Sequence, residues 1–261
     1  MQARVVPTLR GANWLAEGFR LFRAGPFTWL ALVLAYWILV TIISVLPVIG
    51  VVVASIMIPA FSVGFMAASR AADRGQALEF SLLFAGFRVN LVPQLAVGVA
   101  YLVLIASLLG ATALADDGAL ARWMLSGRRP EAEVLQSGDF LAAMMLAAAL
   151  YMPVMMLLWF APVLVSWHSV PVAKALFFSF FASLMNWRAF LAYGMAVALV
   201  TVVIPFGVLL ALMAVSGGSV RMSAVSLVFP LLLALLPTLF ASFYASYRDV
   251  FGEHASQPPG A

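Results

Sequence analysis

Cysteine is absent from this chain, which removes disulfides, iron–sulfur clusters and thiolate chemistry from consideration. Charge is nearly as scarce. Lys, Arg, Asp and Glu make up 9% of the 261 residues and hydrophobic residues 65%, whereas about a quarter of a soluble domain is charged. A chain of this composition reads as an integral membrane protein. Stretches with no Lys, Arg, Asp or Glu run from Ala24 to Ser69, Val89 to Ala115, Phe140 to Ala173, Ala189 to Val220 and Met222 to Tyr247. Each holds a span of about 20 residues, and the first is long enough for two. The turn-like Leu46-Pro47-Val48-Ile49-Gly50 divides that first run, because proline and glycine break helices.

The expected fold is therefore all-α: one polytopic bundle over residues 1–252 with six spans, about 27–46, 48–68, 91–114, 140–167, 189–215 and 224–247, and a polar, Pro-rich disordered tail at 253–261. No span carries a formal charge, so none supplies the proton relay or ion-coupling site of an ion-driven transporter. Enzyme motifs are missing too: there is no GxxxxGK[ST], HExxH or GxSxG, and no carboxylate cluster beside a histidine. The expectation is a non-enzyme without cofactor or metal. Of two histidines, His254 lies in the tail, while His168, beside Trp167, reads as a base, a ligand or an interfacial hydrogen bonder, the last being the commonest role. Met145, Met152 and Met156 share a helical face in the fourth expected span. Thioether sulfur suits Cu(I), but with no Cys and no second His nearby, flexible packing is the plainer reading.

Three amphipathic segments are present. Arg10 to Phe22 places Leu15, Phe19 and Phe22 on one face and Arg10, Asn13, Glu17 and Arg20 on another, the pattern of a helix lying on a membrane or of one docked on the bundle. Ser69 to Asn90 repeats it with Phe80, Phe84 and Phe87. Lys174 to Gly194 carries an apolar face through Phe177, Phe181 and Leu184 and a polar stripe of Ser179, Ser183 and Asn186. Aligning Gly25, Asn90 and Asn186 brings Phe19, Phe84 and Phe180 to one offset. The even-numbered spans end alike, at Ala68-Ser69-Arg70, Ser166-Trp167-His168 and Ala245-Ser246-Tyr247-Arg248. A threefold internal repeat of helix plus hairpin predicts this pattern, although apolar helices align readily for general reasons.

Small residues Ala60, Gly64 and Ala68 at four-residue spacing predict close helix packing. Pro59, Pro153, Pro162, Pro205, Pro230 and Pro237 kink or interrupt spans, around a cavity lined by residues such as Tyr36, Tyr101 and Tyr151 or simply within a packed bundle. The hydrophilic loop from Ala115 to Asp139 is net acidic, with a short surface helix expected around Trp123, Met124 and Leu125. Gly217-Gly218 and Arg221 mark the last loop. With a cytoplasmic N-terminus, that side holds Arg4, Arg10, Arg20, Arg23, Arg70, Arg74, Arg88, Lys174, Arg188 and Arg248, ten of the fourteen basic residues. The bias places both termini in the cytoplasm. It also accounts for the net charge of +4 better than nucleic-acid binding would.

The segments GFRLFR, VGFMAASRAADRG, LLFAGFR, WFAPVLVSWHSVPVAKALFFSFFASLMNWRAFLAYG and LFASFYASYRDVF resemble a family of uncharacterised proteobacterial six-helix inner-membrane proteins. The resemblance covers nearly the whole chain apart from the acidic loop and the tail, and it implies a topology and no catalytic residues. A fainter similarity, in helix pattern alone, is to the membrane domain attached to some glycerophosphodiester phosphodiesterases. The expected role is organisation of lipids or of an unidentified membrane protein partner, with no nucleic acid; the alternative is a permease or channel for a small neutral or apolar solute. Candidate lipid-headgroup contacts are Arg20, Arg23, Arg70, Arg74, Arg88, Lys174, Arg188 and Arg248. Ser179, Ser183, Asn186 and His168 are candidates for an interior polar site.

Overall fold

A computed structural model describes residues 2–46, 49–215 and 222–252, with some side chains between 209 and 233 excepted. Part of the first turn (Pro47-Val48), the loop with Gly217-Gly218 and Arg221, the side chain of Pro230, and the tail with His254 lie outside the described residues. The order is α1 (Thr8–Arg23), α2 (Pro26–Ser44), α3 (Ile49–Asp73), a 3-10 turn (Phe80–Phe84), α4 (Ala85–Arg88), α5 (Leu91–Asp116), α6 (Ala119–Ser126), α7 (Ala132–Leu135), α8 (Gly138–Leu158), α9 (Ala161–His168), α10 (Val172–Met185), α11 (Trp187–Ala198), a π-helical stretch (Leu199–Val203), α12 (Ile204–Val215) and α13 (Met222–Phe251). Among the described residues there is no strand.

Among the described residues, five helices are long and apolar enough to cross a membrane: Pro26–Ser44, Ile49–Asp73, Leu91–Asp116, Gly138–His168 and Trp187–Val208. The fold is an all-α membrane bundle. Where a sixth span was expected, α13 runs unbroken for 30 residues.

Each amphipathic segment packs on longer helices of the bundle. α1 packs on α13 and α11, the 3-10 turn and α4 on α3 and α2, and α10 on α8, α9 and α5. None of the three lies simply on a surface. On α1 the face through Gly11, Trp14, Gly18 and Leu21 is buried, whereas Phe19 stays outward. Close approach is what excludes side chains at both glycines: a methyl group at Gly11 would fall 1.7 Å from the Ala189 carbonyl oxygen, and one at Gly18 2.3 Å from that of Thr238. The same economy of volume holds the second segment on α3, where Ala60 and Gly64 are buried under Gly86 and Leu83.

α10 is oriented opposite to the rule for soluble helices. Phe177, Phe181 and Leu184 are 43–56% exposed, and Ser179, Ser183 and Asn186 are buried. In lipid the solvent is as apolar as phenylalanine, so hydrogen-bonding groups turn inward and hydrocarbon turns out.

The fourth span is two helices. Pro153 sits inside α8 without ending it, and the break falls at Trp159–Phe160, with Pro162 in the first turn of α9. Pro59 is buried inside α3. The aromatic core joins these parts: Tyr36 meets Phe61, Phe65 and Phe240 edge-on, and Phe65 stacks on Phe240 at 4.1 Å. At the far end of α5, Asp116 bonds the backbone N–H groups of Gly118 and Leu120 and so caps α6, the short helix expected around Trp123.

Candidate functional site

The helix ends carrying the Ser-Arg and Ser-aromatic motifs meet at one end of the bundle. Ser69, Ser166 and Ser246 are all buried there. Arg70 of α3 lies 4.8 Å over the Trp167 ring of α9, and His168 Nε2 is 2.6 Å from the Tyr247 hydroxyl of α13. Beside them is a network of three cations and three carboxylates that links α1, α3 and α13. Arg248 is 7% exposed and bonds both Glu17 and, at 2.9 Å, Asp73. Arg10 grips Asp249 through two hydrogen bonds of 2.8 Å and reaches Glu17 at 3.1 Å. Arg20 pairs with Asp73 at 2.7 Å, and the Trp14 indole N–H donates to Asp249. The bidentate bond from Asp249 holds the Arg10 guanidinium above its already high ordinary value. The network balances its own charge, so it fastens helices and offers nothing net to a ligand.

The N-terminal segment is threaded through this end. The Val6 backbone N–H donates to Asn186 Oδ1 at 2.8 Å, Asn186 Nδ2 donates to the carbonyls of Arg4 and Ala182, and Arg4 N–H donates to that of Val250.

Below it, the α8–α9 break is stitched by side chains. Ser179 Oγ accepts from Phe160 N–H at 2.9 Å and donates to the Met156 carbonyl at 2.8 Å, which places the hydroxyl inside what would be one i to i+4 helical bond. Gln94, fully buried, donates to the Pro162 carbonyl at 2.6 Å, and Asn90 donates to that of Val165 at 3.1 Å. The Trp159 indole donates to Ser246 Oγ.

The expected interior polar residues thus divide. Ser179 and Ser183 share the Met156 carbonyl, Asn186 holds the N-terminal segment, and His168 belongs with Tyr247 on another helix. Ser179, Ser183 and Asn186 are buried and bond backbone groups, whereas His168 is corrected from an interior residue to an exposed one, because α9 ends there in the left-handed turn at Ser169; the four do not line one open site. The expected headgroup contacts divide as well. Arg248 is corrected from a headgroup contact to a buried ion-pair residue, because α1 and α3 cover it with carboxylates. Arg20 is half exposed and tied to Asp73, and Arg70 lies on Trp167. Arg23, Arg74, Arg88, Lys174 and Arg188 are exposed around the same end.

Sequence reasoning missed the partners Glu17, Asp73 and Asp249. The one available signal was the placement of Asp73 and Asp249 just beyond the matched Ser-Arg endings. Met144, Met145 and Met152 are outward-facing, and among the described residues no group of His, Asp or Glu could hold a metal. Of the tyrosines proposed for a cavity, Tyr36 is packed among phenylalanines and Tyr151 is 45% exposed.

No protein-family profile and no solved structure matches the chain. A protein of Burkholderia thailandensis described as a probable inner membrane protein is 38% identical over an alignment covering 100% of this chain and 97% of that relative. The apolar helices and that likeness make this a multi-pass inner-membrane protein, and the chain belongs to the same family as the Burkholderia protein.

Proposed function

We propose that this is a non-enzymatic six-span protein, with both termini cytoplasmic, that binds anionic phospholipid headgroups through an exposed basic rim and so organises the lipid, or a membrane protein partner, around it. The observation that carries this reading is the division of cations at one end of the bundle. Arg10, Arg20 and Arg248 are spent on Glu17, Asp73 and Asp249, while Arg23, Arg74, Arg88, Lys174 and Arg188 face outward. Basic residues at the cytoplasmic face attract anionic lipid, each by about 1 kcal/mol.

The threefold repeat belongs to the same proposal. The packing of the three amphipathic segments on α13, α3 and α8–α9 supports three copies of one unit, with α13 as the sixth span. Against the permease alternative, the α8–α9 break is where a path would open, and the helical bond it interrupts between Phe160 and Met156 is completed by Ser179. The helix-pattern likeness to the membrane domain attached to some phosphodiesterases adds no activity to this reading.

The test is recovery in native lipid discs followed by mass spectrometry. Wild type is expected to carry an excess of phosphatidylglycerol and cardiolipin over the bulk membrane. Replacing Arg74, Arg88, Lys174 and Arg188 by Gln should reduce that excess by up to about fivefold per cation removed. A lipid profile equal to the bulk, with no partner protein recovered, overturns the proposal.

A further inference from the structure

We infer that the groove between α1, α11 and α13 is a seat for one acyl chain of an anionic phospholipid whose phosphate is met by Arg23. The groove has a volume of about 360 Å³, within the roughly 300–1,000 Å³ of small-molecule sites. Its walls are apolar: Leu15 and Phe19 from α1, Leu199 and Val200 from the π-helical stretch, and Leu235 from α13. Four alanines, Ala12, Ala16, Ala196 and Ala234, make the hollow by leaving volume unfilled. Thr238 has the hydroxyl in the wall, and it already donates to the Ala234 carbonyl at 2.8 Å. Among the described residues the groove therefore offers an occupant hydrocarbon contact and no polar anchor.

The π-helical wall has a local cause. Pro205 lacks the N–H that would bond the Thr201 carbonyl, and its ring crowds that carbonyl; the preceding turn is widened over Leu199–Val203. Such bulges recur where helices meet ligands.

A cation stands at the edge of this hollow. Arg23 is exposed, and its guanidinium carbon lies 5.4 Å from the centroid of the Phe19 ring, itself a wall of the groove. An apolar slot with a guanidinium at its rim matches a phospholipid: a chain in the slot and a phosphate oxygen pair on the planar fork. A neutral apolar solute would leave the cation unused. The inference rests on the rim proposal only in placing this end of the bundle in the cytoplasmic leaflet.

The test uses phosphatidylglycerol with a diazirine in its acyl chain, in discs of phosphatidylethanolamine and phosphatidylglycerol around the wild-type protein. Light-driven labelling is expected to concentrate on Phe19, Leu199 and Val200 above other lipid-facing positions such as Val103 and Met145. Ala196→Phe, which fills the hollow, should remove that labelling. Arg23→Gln should abolish the preference for the phosphatidylglycerol probe over its phosphatidylethanolamine counterpart while leaving the labelled positions the same. Labelling spread evenly over the lipid-facing helices overturns the inference, as does labelling indifferent to Ala196→Phe, or crosslinks joining two copies of the chain at these residues. Gln substitutions at Arg74, Arg88, Lys174 and Arg188 should leave the labelling intact, so the rim and the groove fail separately.

Discussion

Ser179 is a small residue with a large structural assignment, because its hydroxyl completes a helical hydrogen bond that the α8–α9 break leaves open. A backbone N–H and carbonyl stranded away from water are costly in lipid, where nothing else can bond them. Ser179→Ala is therefore expected to destabilise the protein by about 1–3 kcal/mol, with faster hydrogen exchange at Phe160 than elsewhere in the helix. Thermal unfolding in detergent and exchange mass spectrometry would check both, and an unchanged melting temperature would refute the splice. Ser179, Ser183 and Asn186 were legible in the sequence as one stripe, since their spacing puts them on one helical face. Their tasks were not, because Met156, Phe160 and Arg4, which they bond, advertise nothing in their own side chains.

At the scale of elements, α1 is held by ion pairs at its edge and by close glycine contacts along its face. Removing one partner of a buried pair leaves an uncompensated charge. Arg248→Leu alone should cost about 3–5 kcal/mol, while Arg248→Leu combined with Glu17→Gln, which leaves Arg10 with Asp249 and Arg20 with Asp73, should recover much of that loss. Limited proteolysis within Thr8–Arg23 reads the release of α1, and a double variant as labile as the single one would show that α1 does not depend on charge balance. The existence of the long helices was legible, because charge-free runs longer than a bilayer crossing have few other fates. Which side of α10 faces inward was not. The apolar stripe of Phe177, Phe181 and Leu184 points to the core only if the surroundings are water. The network itself joins residues more than 200 positions apart, such as Glu17 and Arg248, and no local periodicity carries that information.

For the molecule as a whole, the two ends of the bundle are distinct: α5, 26 residues long, sets Asn90 and Asp116 about 39 Å apart at 1.5 Å per residue. The chain lacks cysteine, so a single introduced thiol reports its side of the membrane without background. In intact spheroplasts, Leu125→Cys is expected to react with a membrane-impermeant maleimide, while Arg74→Cys should react only after the membrane is opened. The reverse result would invert the topology and remove the cytoplasmic rim.

The pairing of Arg10 and Glu17 with Asp249 and Arg248 also has a meaning in time. These partners of α1 lie in α13, so α1 must wait for them through most of synthesis, roughly ten to fifty seconds at 5–20 residues per second. During that interval Arg10 and Glu17 have only each other, and Arg20 has Asp73 of α3. Completion of the C-terminal helix is therefore the event that clasps the two ends of the chain together, and a ribosome that stops early releases a protein with its first helix still unclasped.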